Sequence, residues 1–521
     1  MNEQNLYNSQ VPPQMPMMPP PPVPMTRRAR LGKQLMSGKA FGFTTLPDWF
    51  ASYAVGTYAV ALLGVNMVYT ANATEWYFWV FGIAWVAGFF FLSVKFSREW
   101  SVKHVRHHKA FEKKVFGIGL LLRMFYAVFI YFFYIQMTGK PYEFASADSL
   151  GYIETAEWLV QEWEVGRLGT SVSNLAATSF SDMGYPLFLL LPVRIFGVDG
   201  ALLIVRLIHA IFGAYTAVIV YRLASRTMGE TVGRMAAIFC MLHPVLICYV
   251  GLTLKEVFMT WLFVLFVDLA DRMLVGKNYS FTTIAPVVLI GVVIFMFRTV
   301  LGMVAFMSIF FALTVMDTRL VGWGKKVVLG ILMAGAVLFV ASDNIMKEVN
   351  KIRSTDVRSE QASTMKNRYG SEKGGKLSGN SFANYAGAAV FAPLIFTIPF
   401  PTMVDIGFQE DMRLIHGGNW MRNVMSGFVI LAMFMLLLSG DWRKYTLPLA
   451  VLLGYLVVLV FSSFAHSLRF HIPVMPFEMM FAAYAITNMR KKHRNWYLIW
   501  CILCIVMCFG WNWMKLKGRG M

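Results

Sequence analysis

Asp148 is the side chain in this sequence best placed for chemistry. It sits in Ala147-Asp148-Ser149-Leu150-Gly151-Tyr152, directly after an apolar run and at the start of a helical pattern, among small residues that leave its carboxylate accessible. A carboxylate so placed can act as general base toward a hydroxyl; the blander reading is a helix N-cap. Asp182, Glu154 and Glu157 are competing carboxylates in the same segment. Cations recur at the matching ends of other apolar runs. Lys255 and Glu256 lie in a tight turn, Arg298 falls between two runs, Arg469 heads another, and Arg206 lies six residues inside the end of its run. At 1.5 Å per residue that is roughly 9 Å deep, where a guanidinium costs about 2.5 kcal/mol or more and calls for an anion. Cations gathered at one depth beside carboxylates could hold the phosphate of a lipid-linked donor. The alternative is that each caps a helix or pairs locally.

The elements that must position these groups follow from composition. Of 521 residues, 57% are hydrophobic and 14% charged, against about 25% charged in soluble chains, and the mean hydropathy is +0.56. This excludes disordered, collagen-like and disulfide-scaffold classes and implies an all-α, polytopic integral membrane protein. The net charge of +19 would suggest nucleic acid in a soluble domain. Here the basic residues sit in short loops between apolar runs, so the charge reports topology and no nucleic-acid partner is expected. The five cysteines all lie inside apolar segments and read as small hydrophobes.

About thirteen runs are long enough to be spans: 49–70, 75–94, 115–137, 200–224, 232–251, 257–275, 281–297, 299–316, 326–341, 422–440, 446–464, 472–488 and 496–513. Lys95 to Lys114, Arg222 and Arg226, Arg272 and Lys277, Lys325 and Lys326, Arg443 and Lys444, and Arg490 to Arg494 all fall on one side if the N-terminus is cytoplasmic. The expected location is the cell's inner (cytoplasmic) membrane, with the active site extracytoplasmic. Five regions result. Residues 1–48 form a disordered cytoplasmic Pro- and Met-rich arm, and 49–114 a transmembrane hairpin with a basic loop. Residues 115–341 are a membrane core that includes an extracytoplasmic loop, 138–199. Residues 342–421 form a second long extracytoplasmic loop, and 422–521 the C-terminal helices. In the first long loop, Ile153, Ala156, Leu159 and Val160 recur at helical spacing, predicting an amphipathic helix at the membrane surface. Leu187 to Phe196 reads as a short helix too brief to cross. Ala388 to Phe400, interrupted by prolines, reads as re-entrant or interfacial.

Ordered short patterns from about Leu122 to Tyr484 resemble the bacterial GT-C glycosyltransferases of the protein-mannosyltransferase and lipid-A-aminoarabinose-transferase type. Arg123 is followed by Asp148 with Tyr152, Ala156 and Leu159; then come Gly184-Tyr185-Pro186-Leu187-Phe188 and Arg206-Leu207. His243-Pro244 with Tyr249, Gly251 and Glu256 follows, then Arg298, and Arg469-Phe470 with Pro473 and Pro476. The resemblance implies a GT-C-like helical bundle with amphipathic helices in the first loop. It also implies inverting transfer of a sugar from a polyprenyl-phosphate donor to a cell-envelope acceptor: lipid, polysaccharide or protein. On that reading Asp148 is the catalytic base, and Arg298, Arg469, Lys255 and Arg206 bind the donor phosphate. Glu256, Tyr152, Asp182, Tyr185 and His243 are further site candidates. Two departures stand out: Ser149 follows the Asp where many relatives carry a second acid, and the 49–94 hairpin precedes the usual first core span.

Other patterns carry less. His104, His107 and His108 lie in a basic loop without acidic partners, and Cys501, Cys504 and Cys508 share a helix face with no second pair, so no metal site is expected. No cofactor is called for, although a divalent metal is not excluded, and oligomeric state is open. Two other functions compete. A polyprenyl-linked glycan polymerase or ligase would rely on Arg353, Arg358 or Arg368 of the second loop. A flippase or secondary transporter would favour inverted repeats and ionisable groups near the midplane.

Overall fold

In a computed structural model, residues 45–276, 279–315, 330, 394–407, 410–461, 467–489 and 494–517 are described. Nearly all of them are helical; the one pair with strand-like pairing is an isolated bridge between Ala73 and Val404. In chain order the helices are α1 (Asp48–Val68), α2 (Trp76–Glu99), α3 (His108–Thr138), α4 (Ala147–Glu164), α5 (Leu168–Ser179) and α6 (Gly184–Met228). Then follow α7 (Glu230–Leu242), α8 (Pro244–Cys248), α9 (Glu256–Gly276), α10 (Phe281–Phe297) and α11 (Thr299–Val315). The C-terminal part holds α12 (Glu410–Leu414), α13 (His416–Ser439), α14 (Thr446–Phe461), α15 (Leu468–His471), α16 (Met475–Asn488) and α17 (Arg494–Lys517).

Among the described residues seven helices are long and apolar enough to cross a membrane, or eight if the bent pair α7–α8 is one span. The chain is thus a multi-pass membrane protein. The remaining predicted spans divide by cause. The 281–297 and 299–316 runs become α10 and α11, of 17 residues each, about 25 Å long and shorter than the ~30 Å hydrocarbon core. The 257–275 run becomes α9, with Asp268, Asp271 and Arg272 in its second half. The 472–488 run becomes the 14-residue α16 after a short turn. The 326–341 run, the proline-rich arm up to residue 44, residues 342–393 and hence Arg353, Arg358 and Arg368 lie outside the described residues.

Leu187 to Phe196 forms the short helix expected, the first part of α6: two helices meet across a kink at Gly197, whose φ of 69° and ψ of 174° are not helical. A side chain is strained at that φ, so glycine marks the bend. The 232–251 run is not straight, because Pro244 breaks it and α7 and α8 meet at 49°. Arg123 of α3, 1% exposed, repairs the break. It donates to the carbonyls of Met241 at 2.9 Å and Cys240 at 3.1 Å, the acceptors left open where α7 ends.

α6 lies at the centre, packed against α3, α4, α7 and α9. α13 packs against α16, α17 and α2. The α1–α2 hairpin is built into this C-terminal group: Tyr58 Oη lies 2.7 Å from His416 Nε2, Trp420 Nε1 donates to the Ala54 carbonyl at 3.1 Å, and Tyr497 Oη to that of Phe50 at 2.9 Å. Without a hydrophobic driving force between helices in lipid, such hydrogen bonds and close backbone approach hold the contact. Gly417 shows the approach, since a Cβ there would sit 2.5 Å from the Gly82 carbonyl oxygen.

Candidate active site

The amphipathic α4 carries Asp148 in its first turn, and its apolar stripe, Ile153, Ala156 and Leu159, is buried against the bundle. That stripe fixes which side of α4 faces outward. The N-cap reading of Asp148 does not hold in this geometry: Ser146 is the N-cap residue and no side chain caps the helix. The Asp148 carboxylate pairs instead with the guanidinium of Arg469, in the short α15 that precedes α16.

Arg469 also pairs with Glu256, the first residue of α9, which is fully buried. The same Glu256 oxygen lies 3.7 Å from Arg298, which stands between α10 and α11. Arg298 is further held by Tyr455 Oη at 3.3 Å and lies 4.4 Å over the Phe470 ring. Lys255 pairs with Asp182 and donates to the Phe297 carbonyl at 2.7 Å. Tyr152 Oη donates to Asp182 at 3.4 Å. Three cations and three carboxylates from five separate stretches of chain therefore form two neighbouring groups. One holds Asp148, Arg469, Glu256 and Arg298, the other Asp182 and Lys255, and they meet where Lys255 and Glu256 are adjacent in the chain. The other Glu256 oxygen has no hydrogen-bond partner among the described residues.

A cavity of about 910 Å³ opens on both groups. Its lining combines polar groups, Asp148, Tyr152, Asp182, Lys255, Arg298 and Arg469, with aliphatic ones, Val300 of α11 and Val457, Val458 and Leu459 of α14. Asp148 is 59% exposed, whereas Arg469 and Arg298 are 18% and 13% exposed. The cations are thus held firmly while the carboxylate reaches open space.

The electrostatics follow from this packing. Burial pushes Asp182 up, but the ammonium of Lys255 and then Arg298 and Arg469 outweigh it, leaving its carboxyl below the usual range. Burial, and next the charge of Arg298, hold the Lys255 ammonium below its ordinary value despite Asp182 and Glu256. Arg469 is desolvated, yet Glu256 and Asp148 more than compensate and keep it fully charged.

Arg206, Tyr185 and His243 do not line the cavity. Arg206 is fully buried and donates to the Pro141 carbonyl, 5.3 Å from the Tyr131 ring centre. Helical spacing fixed its depth but not its azimuth around α6. Tyr185 is buried under the site, stacked edge-on against Tyr152, with its hydroxyl 3.4 Å from His209. His243 marks the α7–α8 break, with neither ring nitrogen partnered among the described residues. Tyr455 was not singled out from sequence, and Phe470 was named there only within the Arg469-Phe470 pattern. Tyr455 is a single polar tip in an apolar run. Among the described residues no three His, Cys, Asp or Glu side chains converge as a metal site would require.

Residues 413–518 match the Alg9-like mannosyltransferase family. The match spans about a fifth of the chain, from α13 through α17, and includes Tyr455, Arg469 and Phe470 but not Asp148, Lys255 or Arg298. It points to the glycosyltransferase class, as the motif resemblance does, through a different family within that class. No curated protein and no solved structure matches the chain.

Proposed function

We propose that the chain is a membrane glycosyltransferase that takes a sugar from a polyprenyl-phosphate donor and passes it to a hydroxyl of a cell-envelope acceptor at the extracytoplasmic face. The observation that carries this is one cavity lined both by charged groups and by aliphatic side chains, which suits an amphiphile with an anionic head and a hydrocarbon tail. The phosphate would sit on Arg298, Lys255 and Arg469, and the first isoprene units along Val300, Val457 and Val458.

The pairings of Arg469 suggest the order of events. Arg469 is shared between Glu256 and Asp148. An arriving phosphate competes for Arg469 and frees Asp148, the more exposed of its two partners. The acceptor oxygen then attacks the anomeric carbon while the bond from that carbon to the phosphate oxygen breaks. Asp148 takes the acceptor proton, the lipid phosphate leaves with the electron pair, and configuration inverts. A positioned base contributes about 10²–10⁴-fold. Cations fixed before reaction around the leaving phosphate stabilise its growing charge without reorganisation.

The test is incubation of purified protein with a panel of polyprenyl-phosphate sugars, measuring release of free lipid phosphate. Release by the native protein and a loss of about 10²–10⁴-fold in Asp148→Asn are expected. Folded protein that turns over no donor in the panel, or an Asp148→Asn variant as active as the native chain, overturns the reading.

A further inference from the structure

The segment that delivers Asp148 has no regular structure of its own. Between the end of α3 at Thr138 and the start of α4 at Ala147 the chain runs through turns, and its backbone amides need partners from elsewhere. Asp411 of α12 supplies two of them. Its Oδ1 accepts from the Phe144 amide at 3.2 Å and its Oδ2 from the Ala145 amide at 2.8 Å. Tyr134 Oη, near the end of α3, donates to the same carboxylate at 3.4 Å. Other contacts on this segment include Arg206 to the Pro141 carbonyl, Ser149 to Glu143, and the Thr138 hydroxyl to the Lys140 carbonyl.

We propose that Asp411 is a positioning residue: by gripping two successive amides, four and three residues before Asp148, it sets where the Asp148 carboxylate meets Arg469 and the cavity. This rests on the glycosyltransferase reading above and extends it to a residue that touches neither the cavity nor any of its charged groups. The grip matters because α4 has no side-chain cap at its N-terminus, so the helix start is not pinned from within. A charged acceptor binding two amides makes stronger hydrogen bonds than a neutral one. A shift of about 1 Å in a reacting group costs about 10²-fold. Arg298, Lys255 and Arg469 reach the cavity from other elements and do not depend on this grip.

The experiment is a double-mutant cycle on turnover of a polyprenyl-phosphate sugar, with Asp411→Asn and Asp148→Asn alone and combined. Asp411→Asn keeps the side-chain shape and one acceptor oxygen. Asp411→Asn is expected to lower kcat about 10-fold to 10²-fold with the donor KM within about twofold of native, since donor cations stay in place. The combined variant is expected to be no slower than Asp148→Asn alone, because Asp411 acts only through that carboxylate. A merely structural role would instead multiply the two losses and lower the folded fraction, and that outcome overturns the proposal. So does native kcat in Asp411→Asn. If Asp148→Asn itself keeps native turnover, the glycosyltransferase reading fails first. A chain in which Asp148→Asn is inactive and Asp411→Asn is not retains that reading and loses only this one. Should Asp411→Asn fold poorly, Tyr134→Phe removes the third contact on the same carboxylate and is expected to give a smaller kcat loss, of about two- to threefold, in the same direction; unchanged kcat there overturns the proposal.

Discussion

The helices carry arginine–carboxylate networks at both of their ends, and the two differ in what they leave open. At the end rich in basic loops, Arg222 grips Glu112 through two bonds of 2.7 and 2.8 Å, and Arg226 bridges Asp268 at 2.8 Å and Asp271 at 2.6 Å. Arg234 donates to the Trp100 carbonyl at 2.8 Å. The space beside Arg234 is about 10 Å³, close to what one water needs. At the other end the same residue types surround about 910 Å³. Glu256 and Asp268 show the contrast on one helix, only ~18 Å apart along α9. Residue type does not separate the two networks. Each carboxylate of the closed network is spent on a cation, whereas Asp148 of the open one keeps most of its surface for something else.

Two substitutions set the ends against each other. Arg298→Gln removes one fixed cation from the open network, and kcat/KM for donor turnover should fall about 10²–10³-fold with little change in unfolding temperature. Arg226→Gln removes the cation shared by two carboxylates, Asp268 being 3% and Asp271 7% exposed. There turnover per folded molecule should hold, while stability falls by roughly 1–3 kcal/mol. That is less than the loss for a fully buried pair, because the Arg226 side chain is partly exposed. Detergent-solubilised protein followed by thermal unfolding and by lipid-phosphate release reads both. Equal activity losses at the two ends would erase the distinction.

How much of this arrangement the sequence carries depends on whether the signal is local. α10 and α11 were legible almost to the residue, because Arg298 interrupts two apolar runs that each end cleanly. The amphipathic α4 was legible because its apolar residues recur at 3.6-residue spacing. The pairing of Asp148 with Arg469 joins positions 321 apart in the chain, and no local pattern encodes that. Arg206 illustrates the limit: hydropathy gives height in the membrane, but the direction around the helix depends on neighbours, here the turn at Pro141. The Leu187 to Phe196 helix was legible as well, and it ends where the backbone at Gly197 leaves the helical region. Asp411 fell in a loop legible only as polar and long, and its partners are backbone amides, which carry no residue signature.

The mildest way to probe the open network is to titrate it. Lys255 is held below the ordinary lysine value by burial and then by Arg298, so its ammonium is lost at lower pH than the ~10.4 of a free lysine. Two consequences have opposite signs. Donor binding needs the ammonium, so kcat/KM should begin to fall below pH ~10.4. Folding, by contrast, has the ammonium as a burden. Between the folded and unfolded values of Lys255 the unfolded chain binds more protons, so the stability of the unliganded protein rises with pH through that window. Lys255→Met and Lys255→Arg should each abolish both trends, since neither side chain releases a proton in that window, and Lys255→Arg should keep the higher kcat/KM of the two because a guanidinium keeps its charge. A native protein whose kcat/KM and unliganded stability move in the same direction across that window would place Lys255 with the spent charges of the closed end.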